Sequence, residues 1–259
     1  MTPDEATIEW IFDAAAWWLL SFGGFARIAE TDVLTPTEHD FPVDLELEGE
    51  DLAADYLAFV LEHTRMSDWP FVVELHEPTD TAAILRGMPH AMTSPARASG
   101  PPRRVASDGP YPIAVSPSDL EDPVALVAGL ARGVSHYHLY TAPDEPPSEE
   151  RALFVDLGAV MLGFGIFLAS SAFEYDQVES GGMVGWGYRR RGALSELDVS
   201  YALALVAALH ESDPGEIRTH LKANPRAFFT AGQKHIQKKR AVELEALRRL
   251  EGTTRGPYR

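Results

Sequence analysis

The sequence predicts a mostly helical α+β protein with a small sheet and one central, buried apolar helix. Three observations carry this. Apolar residues recur at helical spacing over several long segments, strand character is confined to short runs such as "PFVVELHE" and "PIAVS", and no charge appears between Leu157 and Phe173. At 259 residues, with 45% apolar and 24% charged side chains, the chain can bury a full core and fits a single domain over 1–259.

"PDEATIEWIFDAAAWWLLSFGG" predicts an opening helix. Ile8, Ile11, Ala15, Trp18 and Leu19 recur at helical spacing, and Gly23–Gly24 supply the stop. Its three tryptophans read as core anchors rather than a ligand platform. "DVLTPTEHDFPVDLELE" is punctuated by proline and partly alternating, so it reads as extended chain or a strand. "GEDLAADYLAFVLEHT" is a second helix and "PFVVELHE" a strand. Residues 87–111, rich in Pro, Gly, Ser and Ala, form a long loop with no periodic element to hold it. "PIAVS" is a short strand. "SDLEDPVALVAGLARGVSHYHLY" is a helix capped by Asp122, with Pro123 at the first helical position, where its missing N–H is no loss.

"TAPDEPPSEE" links to "RALFVDLGAVMLGFGIFLASSAF". Its seventeen uncharged residues, 157–173, reach the bottom of the membrane-spanning range. Gly158, Gly163 and Gly165 weaken it and no aromatic-basic flanks anchor it, so a core helix is expected and a membrane span is not. "ESGGMVGWGYRRRGA" reads as a glycine-rich loop. "LSELDVSYALALVAALHE" is a helix with Ser195 and Asp198 at capping-box spacing. "NPRAFFTAGQKHIQKKRAVELEALRRLE" closes the chain as one or two helices, with 230–259 as a basic C-terminal helix.

The net charge of −17 argues against a nucleic-acid partner, since phosphate binding needs clustered Lys and Arg. The charge is lopsided. Residues 1–65 hold fifteen acidic side chains against Arg27 and Arg65, whereas 217–259 hold eleven Lys/Arg against Glu243, Glu245 and Glu251. The tail is expected to lie against the protein's own acidic half or in solvent; the rival reading is that it grips an acidic partner, or RNA. Without cysteine there are no disulfides or thiolate metal sites, which fits a reducing cytoplasm. "MTPDEATIEW" is acidic where a secretory signal would be basic, so a cytoplasmic location is expected.

"LVAGLARGVSHYHLY", residues 126–140, looks like a zinc-protease helix with key letters replaced. In H-E-x-x-H, two His one turn apart reach one zinc, and the Glu beside the first polarises the zinc-bound water. Here His136 falls at the second His, Arg132 at the first and Gly133 at the catalytic Glu. On the next helix Asp156 carries the right charge to support a ligand from behind, while Ala152, one turn earlier, takes the place of the third ligand. The chain more widely resembles a family of uncharacterised bacterial zincin-like proteins that carry an intact H-E-x-x-H. The matching stretches are "WWLLSFGG", "VLTPTEHDFP", "IAVSPSDLEDPVALVAGLA", "VDLGAVMLGFGIFLASSAF", "GWGYRRRGALSE" and "YALALVAAL", spanning about residues 10–210. The resemblance implies a zincin-like metalloprotease-type core and an ancestral metal site, not a substrate. This chain departs from the family at Arg132, Gly133 and Ala152.

A guanidinium is permanently protonated and cannot ligate zinc, and Gly133 has no group with which to take a proton. The expectation is a vestigial site of Arg132, Gly133, His136, Ala152 and Asp156, in which Arg132 stands in for the metal and pairs with Asp156. Gly133 costs the helix about 1 kcal/mol relative to Ala and Gly129 a similar amount. That cost implies close approach by another backbone, with the 156–173 helix as the candidate. A rebuilt site of His136, His138 and Glu149 or Glu150 would need the helix to end or unwind near Tyr137, because residues two apart face different ways. The other histidines (His39, His63, His76, His90, His210, His220, His235) show no ligand spacing.

With no Cys and no G-x-S-x-G, a nucleophilic hydrolase lacks support. "GGMVGWG" lacks the Lys-Ser/Thr of a phosphate loop. The function expected is therefore a catalytically inactive zincin-like protein, a pseudoenzyme that binds a protein or peptide partner with no metal or cofactor. The old cleft would be flanked by the 87–111 and 178–194 loops, with Trp186, Arg189, Arg190 and Arg191 as cleft or partner contacts. The alternative is a zinc-dependent hydrolase with a rearranged site around His136. A third reading places activity in the acidic N-terminal face and the basic tail.

Overall fold

The opening helix forms as predicted. In the computed structural model, which describes residues 1–42, 46–75, 110–180 and 183–252 and no side chains within 173–190, helix α1 spans Glu5–Ser21. The Asp4 carboxylate accepts from Thr7 N at 2.8 Å, filling one of the orphan donors of the first turn. Trp18 is buried, while Trp10 and Trp17 are half-buried with their rings edge-on to Phe154. All three are core anchors.

A short helix α2 (Gly24–Ile28) follows, then α3 (Gly49–Thr64), strand β1 (Phe71–Leu75) and strand β2 (Tyr111–Val115). The strands pair in parallel, with Phe71 opposite Tyr111 and Leu75 opposite Val115. The segment read as extended chain or a strand is not a strand in its described part. The Asp40 carboxylate accepts from both the amide and the hydroxyl of Thr35, at 2.7 Å each, and folds 35–40 into a turn. The long loop read over 87–111 lies outside the described residues up to 109; Tyr111 already belongs to β2.

After a 3₁₀ turn at Pro117–Asp119 comes α4 (Pro123–Leu139), capped by Asp122 as predicted. The apolar segment is α5 (Arg151–Ala159), a wide π-type turn (Val160–Phe164) and α6 (Gly165–Ser171). It is long and apolar enough to cross a membrane by length and composition, but 83% of its apolar window is buried inside the protein. It is the central core helix. The turn sits at Gly163, whose φ of +100° only glycine adopts readily, and a Cβ there would strike the Asp32 carbonyl. The Gly163 carbonyl freed from the helix accepts instead from Leu34 N at 3.0 Å.

Strands β3 (Phe173–Ser180) and β4 (Met183–Arg190) form an antiparallel pair, so most of the segment read as a glycine-rich loop is strand. The alternation of Val184, Trp186 and Tyr188 with Gly185 and Gly187 has the period of two that a strand requires, and the glycine content masked it. Helix α7 (Glu196–His210) starts at the expected capping box: Asp198 N donates to Ser195 Oγ, and Ser195 N to Asp198 Oδ2. Helix α8 (Pro214–His220) leads to α9 (Ala223–Lys239) and α10 (Ala241–Arg248). The basic C-terminal helix is thus two helices, broken at Arg240, beginning before residue 230 and described only to residue 252.

Helix α4 packs on α3, β2, α5 and α6, while α7 packs between α6 and α9. Buried Phe164, Phe167 and Tyr201 come from the two apolar helices of this arrangement. The result is mostly helical α+β, with a two-stranded parallel sheet and a separate antiparallel pair.

The close approach expected at the glycines of α4 takes a different form. A Cβ on Gly133 would lie 2.7 Å from Ile113 Cγ2, so the neighbour is a β2 side chain and not the α5 backbone; at Gly129 nothing lies within 4 Å. The tight contact with α5 is instead at Gly158, where a Cβ would strike Ser135 Oγ, itself donating to the Val155 carbonyl at 2.8 Å. Gly129 is exposed in a helix interior. Gly129→Ala should therefore raise stability by about 1 kcal/mol, while Gly158→Ala should lower it by roughly 1–3 kcal/mol. Urea unfolding of both variants is the check, and a stabilising Gly158→Ala would refute this packing of α4 on α5.

Candidate functional site

Arg132 on α4 and Asp156 on α5 meet. Arg132 Nε donates to Asp156 Oδ1 at 2.7 Å, and the two side chains are 15% and 2% exposed. The expected pairing of these residues is made. Asp156 Oδ2 accepts two backbone amides, Ala193 N at 2.6 Å and Leu194 N at 2.9 Å. Arg132 Nη2 also reaches the Arg191 carbonyl at 3.3 Å. The loop between β4 and α7 is thereby bonded to both members of the pair. At its centre Gly192 has φ +86°, and a Cβ there would lie 2.5 Å from Asp156 Oδ2. Only glycine lets the loop come this close.

Arg191, read as a cleft or partner contact, is 14% exposed in its side chain and forms an ion pair with Asp119 in the turn before α4. It is an internal strut. Trp186, Arg189 and Arg190 lie in β4, with side chains outside the described residues. Ala152 is exposed on α5 and lines nothing around the pair, because the α5 face that turns inward carries Phe154, Asp156 and Leu157.

His136 follows Arg132 by one turn and is 8% exposed, with Tyr137 and Tyr140 edge-on to its ring. Its Nε2 is buried and has no hydrogen-bond partner among the described residues. Burial, and then the nearby Arg151 guanidinium, push its pKa down to about 4. Arg151 lies over the Tyr140 ring, 3.9 Å from its centroid, and Arg151 Nη1 pairs with Glu145 at 3.2 Å. His138 faces the other way, as the spacing requires. It stacks on Phe22 at 4.1 Å, and burial, followed by Arg27, pushes it down to about 4 as well.

These donors do not fit zinc. Arg132 brings a fixed positive charge to one ligand position, Gly133 offers no base, and the Arg151 guanidinium acts on His136. The rebuilt site of His136, His138 and a Glu needs α4 to unwind near Tyr137, yet the helix continues through Leu139. Glu150 accepts from Trp10 Nε1 at 2.8 Å, which holds it against α1, and Glu149 is exposed. Among the described residues no three His, Cys, Asp or Glu side chains gather as a metal-binding group.

The backbone donors Ala193 and Leu194, and the Asp119 strut, escaped sequence reasoning. An amide that bonds a distant carboxylate leaves no trace in residue type; the one available signal was Gly192 directly before them. The geometry defines a mostly helical α+β protein organised around a buried ion pair. No family model, curated protein or solved structure matches the chain.

Asp156→Ala would strand the Arg132 charge and orphan two amides, and should cost about 3–5 kcal/mol. Adding Arg132→Met should recover part of that loss in urea unfolding; strict additivity would mean the two side chains act independently. The histidines set an acid limit. Their ordinary value is 6.5 and their folded values are about 4, so between these the unfolded chain binds more protons and stability falls as pH drops through that window. Proton NMR titration should give both midpoints near 4, and unfolding of His136→Gln should show a shallower loss between pH 6.5 and 4. A midpoint near 6.5 at either ring would contradict its burial.

Proposed function

We propose that this chain is a zincin-like protein without hydrolytic activity that works by binding a protein or peptide partner. The observation that carries the reading is the Arg132–Asp156 pair: a guanidinium, tied to a carboxylate and to the loop behind it, holds the position where the zinc-protease motif has its first ligand. Hydrolysis by that motif needs a Lewis acid and an adjacent base. Here the first position carries a charge that repels a dication, and the second is a glycine whose side-chain space is taken by Ile113. The resemblance in sequence order and spacing supports the zincin-like ancestry, and what remains of the motif serves architecture.

The test is metal content together with peptide hydrolysis. Protein purified without a histidine tag or chelator, then incubated with excess zinc and dialysed, is expected to hold well under one zinc per chain and to leave a mixed peptide library uncleaved. One tightly held zinc per chain that disappears in His136→Ala would overturn the proposal in favour of a rearranged hydrolase. Retention of individual library peptides without cleavage is the positive sign of a binding protein.

A further inference from the structure

Helix α9 and its N-cap carry a row of cations, part of which makes no ion pair with any described residue. Lys222, Arg226, Lys234 and Lys238 fall on a four-residue spacing, with Thr230 at the intervening step, and all four cations are exposed. Steps of four residues advance about 6 Å along an α-helix, so the row follows one ridge of the helix surface. Between Glu216 and Glu243 there is no acidic residue. Like charges four residues apart on a helix destabilise one another, and nothing within α9 offsets them. Lys222 faces Glu196 and Arg226 donates to the Leu221 carbonyl at 2.8 Å, but Lys234, Lys238 and Lys239 make no ion pair with any described residue.

The neighbouring cations are treated differently. Arg240 pairs with Glu5 and Glu243, and Arg248 with Glu211 and Glu245. The ridge is thus a local exception in a chain of net charge −17. Beside its second half lies a groove of about 240 Å³, lined by Ala208, Leu244, Gln233, Gln237 and the paired Glu211 and Arg248, among others. Gln233 and Gln237 are the chain neighbours of Lys234 and Lys238, so the apolar floor and the cations adjoin.

We propose that this ridge and groove form the docking surface for an acidic helical segment of a partner protein, with Glu or Asp every fourth residue and one apolar side chain seated in the groove. The proposal rests on the reading that the chain acts by binding, and it moves the contact from the zincin-type cleft to the C-terminal helices. Acidic ridges of matching spacing pack along cationic ones in the common helix-on-helix geometry, and complementary charge sets register and speeds encounter. A nucleic acid fits less well. Single strands need stacking platforms beside the cations, whereas Phe229 is buried and Phe228 half-buried.

The probe is a fluorescein-labelled 21-residue helical peptide with Glu at every fourth position and a central Leu. Its controls are a scrambled peptide of the same composition and a single-stranded 20-nucleotide DNA. Anisotropy is read with the full-length chain at 50 and 200 mM NaCl. The spaced peptide is expected to bind at least tenfold tighter than the scrambled one. That binding should weaken at the higher salt, and at least tenfold in Lys234→Glu/Lys238→Glu, with the neutral Lys234→Gln/Lys238→Gln variant in between and melting temperatures not lowered. Equal binding of both peptides, no effect of the lysine changes, or preference for the DNA would overturn the proposal. The two readings fail separately. A chain that holds no zinc, cleaves nothing and ignores the peptide keeps the non-catalytic reading and refutes the ridge. A chain that holds zinc and cleaves, yet binds the peptide through Lys234 and Lys238, does the reverse.

Discussion

A carboxylate whose side chain is 2% exposed in a helical core has to be met by donors, and the elements around Asp156 are placed so as to supply them. Leaving such a charge without partners would cost several kcal/mol. Helix α4 supplies the Arg132 guanidinium, and the loop after β4 supplies two successive amides. Because Ala193 and Leu194 directly precede the Ser195 cap, the same carboxylate fixes where the loop ends and α7 begins. The Arg191–Asp119 pair then ties that loop to the turn before α4. One buried charge connects α5 to α4 and to the loop before α7, three segments separated in sequence.

An ion pair in this position and a metal share a structural effect and differ in chemistry. Either can hold two helices together through a central positive charge. A guanidinium does so with a single charge and directed N–H donors, leaving no open coordination position where a water could be activated. The surroundings match that role: Ile113 fills the space beside Gly133, and both histidines of α4 are kept neutral by burial among aromatic rings.

Charge segregation along the chain is only partly cancelled by folding. Arg240 reaches across to Glu5 on α1, which brings one piece of the basic tail against the acidic N-terminal half, as a self-neutralising tail would. The α9 ridge does not follow. Its position on α7, remote from the acids of α3, leaves it facing outward.

Much of the helical framework was legible in the sequence because its signals are local. Asp122 before Pro123, the Ser195–Asp198 box and the apolar spacing of α1 each act within one or two turns, and helices form where they were read. The contact of Arg132 with Asp156 was also within reach, since a known motif suggested which positions of two helices should face each other. The strand β4 was not, because glycine content outweighed a period of two, and neither was the kink at Gly163, whose cause is the Asp32 carbonyl on another segment. Ala152 shows the limit most plainly: one turn from Asp156 in sequence register, it ends exposed, because the burial direction of α5 is set by what packs on it. Sequence by itself determined where helices start and which residues carry charge, through local backbone and side-chain chemistry. Tertiary structure alone decided which amides answer Asp156, which cations stay unpaired and what fills the space beside Gly133, since each depends on partners that only folding brings within a few ångströms.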